Sequence, residues 1–316
     1  MDVQPDTSTV IDRTVPRVFG AGRSLGVTEL LQAEASWPVV VLFALVSQLG
    51  DVWFLFLLGG VFYVAGEYTP RWVLDRRRGL TVLALLLTYI SFIGVLKDVF
   101  RLARPPGATT PPGLAAVPTA YHGVFTSITT ASGPGFPSGH ALGTTMVWGG
   151  VALLLDRGRF RSRAVFVAGI VAAVSASRLV IGVHYLVDVV AGAAVGVVAL
   201  IAIYRLSADG TKPGRVLGVA VVVGLLGLIR TVSFDSVAAL GGAVGGWLVW
   251  HWLAEKVSLQ PSNRSTVVAG FAVFSVAGVL FGVVYALEPP LWVTFLGAGT
   301  TAGLAVGAPL VGERVG

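Results

Sequence analysis

Cysteine is missing from all 316 residues. Disulfides and thiolate metal sites are therefore excluded, while the redox compartment stays open. Charge is scarce as well. Only 12% of residues are Asp, Glu, Lys or Arg, about half the roughly 25% of an ordinary soluble domain. Lysine occurs only at Lys97, Lys212 and Lys256. Residues 1–26 carry Arg13, Arg17 and Arg23 but no long apolar run. A secretory signal needs such a run just after its basic start, so the first spanning segment is expected to do the targeting. The stretch 105–137 contains no Lys, Arg, Asp or Glu at all.

What the chain has in excess is apolar surface: 55% hydrophobic residues and a mean hydropathy of +0.83. That predicts an all-α polytopic membrane protein. A formal charge of +6 is compatible with nucleic-acid binding in principle. Here, however, the arginines sit in short clusters between apolar runs, as at membrane flanks. Membrane lipids, not nucleic acid, are the expected surroundings.

A spanning helix needs roughly 20 apolar residues. Nine candidate runs follow, at about 51–66, 80–100, 139–155, 164–181, 185–204, 216–229, 236–254, 267–287 and 291–310. The first and sixth are short. Residues 27–50 mix Glu29, Gln32, Glu34 and Trp37 with a short apolar stretch. They read as a helix lying partly in the interface, or alternatively as a tenth span with Ser47 and Gln48 buried. Basic residues separate by side. Arg71, Arg76, Arg77, Arg78, Arg157, Arg159, Arg161, Arg163, Arg205, Lys212, Arg215, Lys256, Arg264 and Arg314 fall at one side of the alternating spans, and the uncharged 105–137 loop at the other. The positive-inside rule makes the first side cytoplasmic. The spacings Gly192–Gly196, Gly241–Gly245 and Gly278–Gly282 permit close helix contact, read as packing within the chain in preference to a homo-oligomer interface. Asn263-Arg264-Ser265 matches a glycosylation acceptor but falls in a predicted cytoplasmic loop.

Three polar clusters remain once the apolar runs are set aside. Lys97 and Arg104-Pro105 stand at the outer end of the second span, and Arg101 falls on the same predicted helical stripe. Cations grouped at a membrane surface repel one another unless an anion lies among them; the competing reading is snorkelling to headgroups. Pro137-Ser138-Gly139-His140 opens the third span. Ser138 suits a helix N-cap, Gly139 permits close backbone approach, and the free N–H groups of a helix start bind phosphate. Capping alone leaves His140, one turn into an apolar helix, unexplained. Last come Ser177-Arg178, His184 and Asp188. His184 and Asp188 are four apart and share a helix face. An intramembrane Asp is a functional hypothesis by default. Paired with His184, it fixes the imidazole tautomer and leaves the other ring nitrogen free as a nucleophile. All three clusters fall at the outer helix ends.

Lys97-x6-Arg104-Pro105, Pro137-Ser138-Gly139-His140 and Ser177-Arg178-x5-His184-x3-Asp188 together resemble the three-part signature of the type 2 phosphatidic acid phosphatase superfamily, which also includes vanadium haloperoxidases. The likeness covers about 51–204. It divides the chain into an N-terminal segment with an interfacial helix (1–50), a phosphatase core (51–205) and four further spans of unassigned role (206–316). It implies a two-step phosphoryl transfer without metal or cofactor. Lys97, Arg104, Arg178, Ser138 and Gly139 would hold the phosphoryl oxygens. His184, supported by Asp188, would attack phosphorus, and His140 would protonate the leaving oxygen and then activate water. The substrate implied is a lipid phosphate, a polyprenyl diphosphate or a phosphatidate-like monoester, in a cell membrane with the site facing outward. A phosphotransferase using an alcohol acceptor, and a transporter or scaffold with an inactive site, are the other classes the sequence admits. His122 and His251 match no part of the signature.

Overall fold

The computed structural model describes residues 23–66, 68, 74–253 and 263–315. Arg13, Arg17, Arg71, Lys256 and the side chain of Arg314 lie outside the described residues. Every regular element among the described residues is helical. In chain order the α-helices are α1 (Val27–Glu34), α2 (Trp37–Ser47), α3 (Val52–Ala65), α4 (Arg76–Phe100), α5 (His122–Thr129), α6 (Gly139–Leu154), α7 (Phe160–Val180), α8 (Leu186–Leu206), α9 (Pro213–Arg230), α10 (Phe234–Leu253), α11 (Arg264–Leu287) and α12 (Leu291–Val315).

Short polar residues start several of them. The carboxylates of Asp51 and Asp75 accept from Trp53 N and Arg78 N at the heads of α3 and α4. Asn263 accepts from Thr266 N at 2.8 Å at the head of α11. Each bond satisfies an amide that the first helical turn leaves without a partner. The glycosylation-like Asn263 thus has a local use as a cap.

Among the described residues six helices, α4, α7, α8, α9, α11 and α12, are long and apolar enough to cross a membrane. The segments 37–50 and 52–65 make a seventh only as a pair bent by 47°. Nine spans on this criterion are therefore not reached. The expected first span at 51–66 is the second half of that bent pair. Residues 37–50, expected at the interface, form its first half, so the alternative tenth span merges with the first and adds none. The expected third span is α6, whose 16 residues extend about 24 Å, less than the roughly 30 Å hydrocarbon core. The expected seventh is α10, where four glycines and His251 dilute the apolar run.

α6 packs between α4, α7 and α8, and α2 and α1 lean on α7. On the other side α9 packs on α4, α10 on α12, and α11 between α3 and α12. The core is continuous through both halves, with Leu55, Tyr63, Leu80, Leu85, Leu142, Met146 and Leu217 fully enclosed. Gly192 and Gly196 let α8 lie directly on the backbone of Ser138 and Leu142, and Gly241 and Gly245 do the same for α10 on α12. These two small-residue pairs are used within the chain, whereas Gly278 and Gly282 face open space. Large apolar side chains such as Phe166, Val198, Ile229 and Val279 remain exposed on the outer faces. So much outward apolar surface suits lipid and not water.

Candidate active site

The site forms where α4, α6 and α7 end or begin, at the same end of the bundle. Ser138 N donates to Asp188 O at 2.9 Å, which ties the start of α6 to the first turn of α8. Ser138 is fully buried and its hydroxyl accepts from Ala141 N at 3.5 Å. Gly139 lies against Tyr89 and Ile93 of α4, and an added Cβ would meet them at 3.3–3.4 Å. Arg104 arrives from the loop after α4. Gly135 N donates to Leu102 O at 2.7 Å, and Ala131 N to Ala108 O at 2.8 Å, so residues 131–135 hold that loop over the helix ends.

At the centre, His184 sits in the turn between α7 and α8, 2% exposed. Its Nδ1 lies 3.4 Å from Asp188 Oδ2, and its Nε2 lies 3.1 Å from Arg104 Nη1. A guanidinium only donates, so Nε2 accepts and the ring proton belongs on Nδ1, toward Asp188. Arg104 also donates to Val183 O at 2.9 Å and Ser132 O at 3.1 Å. Burial, and then the charges of Arg104, Arg178 and Lys97, hold the His184 imidazolium well below its ordinary pKa of 6.5. The ring is therefore neutral at pH 7, with an available lone pair.

Arg178, in the last turn of α7, is 4% exposed, and its Nε has no hydrogen-bond partner among the described residues. Lys97 lies in the last turn of α4, within the electrostatic reach of Arg104 and Arg178. His140 feels Arg178, His184, Lys97 and Arg104. The eight residues expected at the site thus gather at one place. Arg101 does not join them. α4 stops at Phe100, Arg101 takes a left-handed conformation (φ 48°), and its exposed Nε donates to Asp98 O at 3.1 Å. The helical stripe that placed it beside Lys97 ends one residue too soon. His122 bonds its own loop at Val117 O, and His251 stacks on Trp247.

Two partners were missed. Asp51, at the break between α2 and α3, places Oδ2 3.7 Å from His140 Nε2. Gly50 presses against Thr144 and Val174 and brings the break there. An acid between two apolar runs was a usable signal, read only as a helix start. Arg23 contacts Asp188; nothing in its Gly/Ser-rich neighbourhood pointed to it.

The arrangement offers three buried or half-buried cations, a helix start with unpaired N–H groups, a neutral imidazole aimed by a carboxylate, and a second imidazole beside another carboxylate. Such a set can stabilise a transferring phosphoryl group. Residues 79–212 match the PAP2 superfamily. Comparison with curated proteins and with solved structures returns no match. The PAP2 match contains Lys97, Arg104, Ser138, Gly139, His140, Arg178, His184 and Asp188 but neither Arg23 nor Asp51. The PAP2 family and the apolar helices together support phosphatase activity in a membrane-type, multi-pass protein. Among the described residues no three His, Asp or Glu side chains converge as a metal site requires.

Proposed function

We propose that this chain is a lipid phosphatase that cleaves a phosphate ester or anhydride through a phosphohistidine on His184. The observation that carries the reading is the line Asp188–His184–Arg104, with a carboxylate on one ring nitrogen and a phosphate-binding cation on the other. In the first step the Nε2 lone pair forms the N–P bond while the bond from phosphorus to the lipid oxygen breaks. His140, protonated once the phosphate's negative charge lies beside it, gives that oxygen its proton, and Asp188 balances the imidazolium. In the second step water attacks phosphorus, His140 takes the proton, and the N–P bond breaks to release inorganic phosphate. Lys97, Arg104 and Arg178, with Ser138 and the Gly139 N–H, hold the three non-bridging oxygens. Polyprenyl diphosphates and phosphatidate-like monoesters both present this group on a lipid tail, and surrounding membrane lipids deliver either.

Purified protein in detergent is expected to release phosphate from such lipids in excess chelator, and vanadate is expected to inhibit it. The three cations neutralise the phosphate, which motivates the first expectation. Vanadate reproduces the five-coordinate geometry of transfer, which motivates the second. Loss of activity in chelator, restored by magnesium or zinc, would overturn the mechanism.

The proposed location is the outer surface of a cell membrane. Support comes from the bundle's two ends. Arg78 pairs with Asp156 at 2.6 Å at one end, near the exposed Arg157–Arg161 cluster, while the uncharged 105–137 loop covers the other. Thr110 and Ser162 are both exposed. In a chain without cysteine, a cysteine at position 110 is expected to react with an impermeant thiol reagent in intact cells. One at position 162 is expected to react only after lysis. The reverse pattern would put hydrolysis on the cytoplasmic side.

A further inference from the structure

Asp188 is fully buried and its two oxygens are used differently. Oδ2 accepts from Tyr185 N at 3.0 Å and faces His184 Nδ1 at 3.4 Å. Oδ1 is met by Arg23, whose Nη1 lies 2.6 Å away, a salt bridge between side chains 5% and 0% exposed. The second arm of the same guanidinium, Nη2, donates to Ala103 O at 2.5 Å, beside Arg104. Its Cζ lies 5.2 Å from the centre of the Tyr185 ring and 6.0 Å from that of Phe136. Five residues on, Thr28 Oγ1 donates to the carbonyl of His184 at 3.0 Å. The segment is anchored where it does this. Val27 and Leu31 pack on Ala141, Leu179 and Val189. Gln32 fits against Gly182, where φ is +84° and any side chain would collide with it.

We propose that Arg23 is a positioning residue for the nucleophile pair, reaching Asp188 from outside the PAP2 segment. The proposal rests on the phosphohistidine reading above. A buried carboxylate is stable as an anion only when paired. Its pairing here is uneven: the contact to Arg23 is short and the one to His184 is long, so Arg23 sets where the carboxylate points. Arg23 keeps Oδ2 turned to Nδ1 and so keeps Nε2 unprotonated. Residues 23–28 thus hold both members of the pair, Asp188 through its side chain and His184 through its backbone.

The test is a cycle of Arg23→Gln, Asp188→Asn and the double variant, with kcat and KM on a lipid phosphate in detergent. Arg23→Gln should lower kcat by about 10- to 100-fold, the worth of a hydrogen bond to a charged group, with KM nearly unchanged. Arg23→Lys should recover part of the loss. The double variant should be no slower than Asp188→Asn, because Arg23 acts only through Asp188. It also removes both halves of the buried pair, so it remains a fair test should Arg23→Gln fold poorly. Independent, multiplying losses, a wild-type kcat in Arg23→Gln, or a loss confined to KM would overturn the proposal. A second readout does not need turnover. With four histidines in the chain, ¹⁵N spectra of labelled protein should show His184 protonated on Nδ1 in wild type and a mixed tautomer in Arg23→Gln. An unchanged tautomer would overturn the proposal. A wild type that releases no phosphate from any lipid phosphate would sink the proposed function instead, and Arg23 is then judged on the spectra.

Discussion

His184→Ala is expected to lower kcat by about 10⁴-fold or more, the scale on which enzymes lose a nucleophile held by a carboxylate. His184 is the imidazole with a carboxylate on one nitrogen and a cation on the other. Its neighbour His140, at the start of α6, has a carboxylate at 3.7 Å on one nitrogen and, among the described residues, no cation shown on the other. Alanine leaves the Arg23–Asp188 pair intact, so the site should keep its shape. The loss should therefore appear in kcat, with KM little changed. Near-normal turnover in His184→Ala would mean that another group attacks phosphorus.

Arg178→Lys is expected to cost about 10²- to 10³-fold in kcat although charge is preserved. Arg178 is buried at the last turn of α7, and its Nε is left without a partner among the described residues. A planar fork of donors meets two phosphoryl oxygens at once, whereas an ammonium meets them as a point charge. Burial raises the stakes, since no water replaces the missing donor. A lysine variant within about threefold of wild type would show that charge alone is required, against the bidentate contact expected of a guanidinium. The folded state is checked by the melting temperature in detergent.

The signature side chains were legible because polar groups inside apolar helices are conspicuous and helical spacing orders them. Lys97, Arg104, His140, Arg178, His184 and Asp188 needed only that the helices end at one level. The long apolar helices were legible in their chain order, but α5 (His122–Thr129), inside the stretch read as a loop, was not. The span count was less so, because residues 37–65 read as a weak apolar stretch and a short one, while the fold joins them across the bend at Gly50. Arg101 was placed by continuing a helix that stops at Phe100. Arg23 is separated from Asp188 by 165 positions, and no local periodicity carries information over that distance. Asp51 and His140 meet only because Gly50 lets the break press on α6 and α7. Both are tertiary partners of the signature and not members of it, so each became visible only with the packing.

The most direct measurement is trapping of the intermediate. Purified protein is mixed with a lipid phosphate carrying ³²P, quenched within milliseconds in alkali, and digested. Phosphate stable to alkali, released by mild acid and located on the peptide containing His184 is the result expected, with none in His184→Ala. Label on a serine peptide, or turnover at the full rate with no bound phosphate at any quench time, would contradict a phosphohistidine mechanism.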